Sequence, residues 1–183
     1  MTLEEMKQKV YAMIEEYSED AEDLTEDEDL AAKMNTVINQ IQNELARYKK
    51  IPAYTSLNVT EGQEINLSDI DTSLYQLNNI RGVDYDTMDD RITFNEDGEA
   101  KIYYYKYPKQ ITMGTDDDYK FELSTDVLEI MPYGVAADLL KSDVSSQYGS
   151  IYAARYRELL NQLDPRYGTG TVLLDGGFGV WVK

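Results

Sequence analysis

The spacing of apolar residues changes twice along this chain, from a helical period to an alternating one and back. That double change constrains the fold more than any other feature. Leu3, Met6, Val10, Met13 and Tyr17 recur at intervals of three and four, which predicts an amphipathic helix over 2–17 with Thr2 as N-cap before Glu4 and Glu5. Met34, Ile38, Ile41, Leu45 and Tyr48 predict a second helix from about Leu30 to Lys50. Arg47, Lys49 and Lys50 suit the negative end of its dipole, and Pro52 stops it. Between the two, Glu15 to Asp29 holds ten acidic residues and no basic one, a pattern expected of a solvated connection.

From Tyr54 to Lys120 the period becomes two, as strands require. Leu57 and Val59, then Ile65 and Leu67, alternate around a turn at Glu61-Gly62. Ile92-Thr93-Phe94, a turn with Gly98 as its positive-φ residue, and Ala100 to Tyr107 predict a hairpin. Its second strand puts Ala100, Ile102 and Tyr104 on one face and Tyr103, Tyr105 and Tyr107 on the other, so both faces are expected to be at least half covered. Helical spacing then returns. Pro132 fits a first turn leading Val135, Ala136, Leu139 and Leu140 inward; after a break near Ser142-Asp143, Tyr148, Tyr152, Tyr156, Leu159 and Leu163 align until Asp164-Pro165. The expectation is an α+β fold: a bundle of about four helices (1–50 and 125–163) with an antiparallel β-rich insertion (54–120), forming one domain over 1–163. An extended, flexible glycine-rich tail over 164–183 follows.

The chain contains no cysteine and no histidine, which removes thiolate nucleophiles, imidazole bases and every Ser-His-Asp or Cys-His arrangement. Clustered carboxylates at Gly114-Thr115-Asp116-Asp117-Asp118, Asp69-Ile70-Asp71 and Asp84-Tyr85-Asp86 lack the alternating ligands of a calcium loop and are expected to be polar turns. With 35 acidic residues, no carboxylate pair singles itself out for glycoside hydrolysis. Gly168-Thr169-Gly170 does not meet the dinucleotide fingerprint. The expectation is therefore no enzyme, no cofactor and no metal. Met1-Thr2-Leu3-Glu4-Glu5 has neither the basic start nor the apolar run of a signal peptide, and no stretch approaches a membrane helix, so a cytoplasmic protein without a membrane partner is expected. A net charge of -18 disfavours gripping nucleic acid, yet suits a wall past which a polyanion must slide. Sixteen tyrosines against three phenylalanines suit subunit contacts, as well as a core with hydroxyls at its edge. In the tail, Val172, Leu173, Leu174, Phe178 and Trp181 are the candidate partner-contact residues.

The run Leu128-Glu129-Ile130-Met131-Pro132-Tyr133-Gly134-Val135-Ala136-Ala137-Asp138-Leu139-Leu140, followed by Tyr148, Ile151-Tyr152, Tyr156 and Leu159-Leu160, resembles the carboxyl-terminal helix pair of tailed-bacteriophage head-tail adaptor proteins, also called connector or neck-ring proteins. Upstream, Val83-Asp84-Tyr85, Ile92-Thr93-Phe94 and Ile102-Tyr103-Tyr104-Tyr105-Lys106-Tyr107-Pro108 are similar too. The resemblance covers roughly residues 75 to 163. It implies a virion structural subunit, made in the host cytoplasm, that docks on the portal protein as a self-assembled ring, commonly of twelve copies. Such a ring presents a surface to the next neck or tail protein while DNA passes through its lumen without specific binding. Another phage or prophage structural protein, or a protein-binding module unrelated to phage, are the alternatives left open.

Overall fold

A computed structural model of the chain describes residues 1–15, 28–142 and 147–163. Helix α1 (Leu3–Glu15) opens on a capping box: the Thr2 hydroxyl accepts from the Glu5 amide at 3.2 Å, and the Glu5 carboxylate accepts from the Thr2 amide at 3.0 Å. Its inward face is Leu3, Met6, Val10 and Ile14; Met13 is only half-buried, so the stripe ends one position later than its spacing predicts. Helix α2 (Glu28–Tyr48) buries Met34, Ile38, Ile41 and Leu45 as expected, while Tyr48 is exposed.

Six strands follow: β1 (Ile51–Val59), β2 (Glu64–Asn66), β3 (Leu74–Arg81), β4 (Tyr85–Met88), β5 (Arg91–Phe94) and β6 (Gly98–Lys106). One helical turn, α3 (Leu67–Ile70), interrupts them. They form two antiparallel sheets, ordered β1-β6-β3 and β2-β5-β4. Val59, Ile80, Ala100, Ile102 and Tyr104 of the first sheet meet Ile92 and Phe94 of the second in one small core. The expected hairpin is corrected here. β5 and β6 are neighbours in sequence but lie in different sheets, and β6 is the central strand of its own, paired with β1 and β3. The connection does not close on itself; instead the Asp97 carboxylate accepts from the Glu61 amide at 2.7 Å and Asn95 donates to Asp86 at 3.0 Å. Gly98 has no positive φ. Its role is space, since a Cβ there would stand 2.8 Å from a Val83 methyl. Likewise the turn at Gly62 (φ 78) sends β1 and β2 into separate sheets rather than pairing them.

Residues 107–123 leave the sheets and return to the helices, so the strand-bearing stretch is Ile51 to Lys106 rather than 54–120. Polar side chains of α2, the half-buried Asn39 and the buried Gln42, hold this return. Asn39 donates to the Ile111 carbonyl at 2.8 Å and accepts from the Ile111 amide at 2.7 Å, and Gln42 donates to the Lys109 carbonyl at 3.0 Å. Ile111, Phe121 and Leu123 join the core of α1 and α2 together with α4 (Thr125–Leu128), α5 (Met131–Leu139) and α6 (Tyr148–Leu163). Pro132 occupies the first turn of α5, and Val135, Ala136 and Leu139 are buried. Contacts of Gly134 with Tyr156 and of Gly149 with Leu140 make α5 and α6 antiparallel. The inward stripe of α6 is Gly149, Tyr156 and Leu160, whereas Tyr148 is exposed and Leu159 and Leu163 are half-buried. The expected Tyr148-to-Leu163 line is therefore rotated. The molecule is an α+β protein: four principal helices carry an antiparallel two-sheet region between α2 and α4.

Candidate functional site

Only Lys49 and Lys50 separate α2 from β1, which delivers two cations to the margin of the β1-β6-β3 sheet. With Ala100, Ile102 and Tyr104 committed inward, strand alternation turns Glu99, Lys101, Tyr103 and Tyr105 outward on β6. Register adds their neighbours on the same face. Pro52 opposes Tyr105, Tyr54 opposes Tyr103 and Ser56 opposes Lys101 on β1; on β3, Gln76, Asn79 and Arg81 oppose the same three residues.

On this face the rings and cations are interleaved. Tyr54, 70% exposed, stacks on Tyr103 with ring centroids 6.0 Å apart. The Arg81 guanidinium lies 5.2 Å from the centre of the Tyr103 ring, and the Lys50 ammonium 4.6 Å from that of Tyr105 while donating to Gln76 at 2.9 Å. At the margin next to α2, Arg47 donates to the Tyr107 hydroxyl at 2.7 Å and Tyr75 donates to the Ala46 carbonyl at 3.0 Å. These bonds lock the sheet to the helix end. Among the described residues Lys50, Arg81 and Lys101 have no carboxylate partner, and the hydroxyls of Tyr54, Tyr103 and Tyr105 make no hydrogen bond. The face thus presents cations and hydroxyl donors, with Glu99 as the single carboxylate among its outward positions.

A concavity of about 670 Å³ lies between α2, α5 and α6, lined by Ile41, Glu44, Gly134, Tyr156, Arg157 and Leu160 among others. Burial, and then the charge of Glu44, push the Tyr156 phenol far above its ordinary range, so it stays protonated. Glu44 is near enough for its charge to act, but no described neighbour meets the Tyr156 hydroxyl with hydrogen-bond geometry. With no histidine or cysteine in the chain, the cleft offers neither an imidazole base nor a thiolate.

The acidic turns have structural partners. Asp117 pairs with Lys7 at 2.9 Å, Asp84 and Asp86 accept from Asn95, and Asp71 accepts from the Ser73 amide and hydroxyl and from the Tyr104 hydroxyl. Burial raises the Asp71 pKa, but the Ser73 bonds, followed by that from Tyr104, outweigh it and leave the carboxyl below its usual range. Among the described residues no three acidic side chains converge on a point where a metal could sit, and no helix is long and apolar enough to cross a membrane. The tail residues Val172, Leu173, Leu174, Phe178 and Trp181 lie outside the described residues.

Nothing among known families or curated proteins matches this chain.

Sequence periodicity found the tyrosine row but missed its cations. Lys101 was visible two positions before Tyr103, whereas Lys50 and Arg81 join the face only through β1-β6 and β3-β6 pairing, which periodicity does not encode.

Proposed function

We propose that the chain is a head-tail adaptor subunit of a tailed bacteriophage, a structural part of the virion assembled in the host cytoplasm. In this reading several copies form a ring on the portal protein, present a surface to the next neck or tail component, and leave a lumen through which DNA slides. The observation that carries an assembly role is the outward β1-β6-β3 face. Among the described residues its cations have no carboxylate partner, in a chain where acidic residues outnumber basic ones 35 to 17, so they are available to another molecule. The phage assignment itself rests on the resemblance of residues 75 to 163. A net charge of -18 fits a wall that DNA must pass without sticking.

The test is to mix the purified full chain with its cognate portal protein and to examine the mixture by sedimentation and electron microscopy. A ring seated on the portal is expected. A chain that stays apart from the portal at micromolar concentrations of both would refute the adaptor reading.

A further inference from the structure

The face described above asks for an occupant. Its outward positions carry Arg81 and Lys101, with Lys50 reaching in from the α2–β1 junction, against Glu99 alone. A cation without a carboxylate is unexpected when carboxylates are twofold in excess, because nearby opposite charges gain from pairing. Two of these cations stand over tyrosine rings, Arg81 at 5.2 Å from the centre of Tyr103 and Lys50 at 4.6 Å from that of Tyr105. Tyr103 and Tyr105 are thus each met by a cation, while Tyr54 stays 70% exposed, so the face turns charge, free tyrosine hydroxyls and one open ring outward. Cations and hydroxyl donors suit carboxylates, and a net charge of -18 disfavours nucleic acid.

The chain itself carries the complement. Residues 15–29 hold ten carboxylates and no cation. The stretch enters α2 at Glu28, and α2 runs 21 residues, about 30 Å, before Lys50 and the face begin. Glu28 and the face thus stand at opposite ends of α2, a placement that suits contact between copies. We infer that the β1-β6-β3 face of one copy binds the acidic stretch 15–29 of a second copy. Because the two patches differ, the contact is head-to-tail, and its repetition gives a ring when the rotation between copies closes. This deepens the assembly reading and rests on it for its place in a ring, though not for the contact itself.

The probe is a fluorescently labelled peptide of residues 15–29, titrated with the full chain and followed by anisotropy. Binding is expected, weakening between about 0.1 M and about 1 M salt as the Debye length shrinks from about 10 Å to about 3 Å. The double reversal Arg81→Glu, Lys101→Glu is expected to weaken it at least about tenfold. Lys9→Glu, Lys33→Glu makes the same change of net charge on exposed helical positions and is expected to leave binding within about twofold. Unchanged circular dichroism and melting temperature of the sheet variant would separate lost binding from lost folding; should it fail to fold, Arg81→Gln with Lys101→Gln serves in its place. No binding by the wild type overturns the inference. So does equal binding of a peptide with every acid replaced by its amide, binding that survives the reversal, or a face-dependent preference for a single-stranded oligonucleotide. A chain that joins the portal but ignores the peptide sinks this inference alone, whereas one that binds the peptide but ignores the portal sinks the adaptor reading alone.

Discussion

Gly134 and Tyr156 show how finely single atoms are fitted where α5 and α6 meet α2. A Cβ at Gly134 would stand 2.9 Å from the Tyr156 ring and 3.2 Å from the Ile41 Cδ1, so Gly134→Val is expected to cost about 1–3 kcal/mol by overpacking, read as a lower urea midpoint. Tyr156→Phe removes a buried hydroxyl that lacks a well-placed partner, and should leave stability unchanged or raise it by up to about 1 kcal/mol. Asp71 makes the opposite case, a carboxylate with three donors. Its folded pKa lies below its unfolded one, so the stability it contributes is fully present above the unfolded value and is lost as pH falls through the folded one. Asp71→Asn should therefore be less stable than wild type at about pH 7, and the gap should close by about pH 2 in parallel denaturation curves.

Among the elements, helices were legible because their signal is local. The three-four spacing reports which side of α1, α2 and α5 faces inward, and the buried residues follow it with small shifts at Ile14 and along α6. Alternation likewise located the strands and the tyrosine row, but pairing was not legible. Ile92 to Tyr107 has the look of a hairpin, yet β6 takes its partners from 39 to 55 residues upstream in β1 and from 20 to 32 residues upstream in β3. What decides this is steric detail at the joints. Gly82 has φ 99, and a Cβ there would run into the Glu99 carbonyl, whereas Gly62 has φ 78 with open space around it. Gly62→Ala should cost only the strain of a left-handed residue, about 1–2 kcal/mol. Gly82→Ala adds a backbone clash and should cost more, with guanidinium unfolding of the two variants as the comparison. The candidate face was half legible for the same reason: its central column is written in one strand, its flanks in two others.

For the molecule as a whole, charge sets two salt dependences of opposite sign. A net charge of -18 makes the folded chain repel itself, so screening should stabilise it; moving from about 0.02 M to about 0.5 M sodium chloride is expected to add roughly 1 kcal/mol, a few degrees in a thermal melt. Binding at the sheet face should weaken over that same range, which makes the two effects separable in one preparation. The junction of α2 with β1 completes the picture. Two residues connect them, Arg47 grips Tyr107 and Tyr75 grips the Ala46 carbonyl, so there is no slack between helix and sheet. Tension applied to the sheet would thus reach α2 through a two-residue link and two side-chain bonds, with no loop between them to take up the strain.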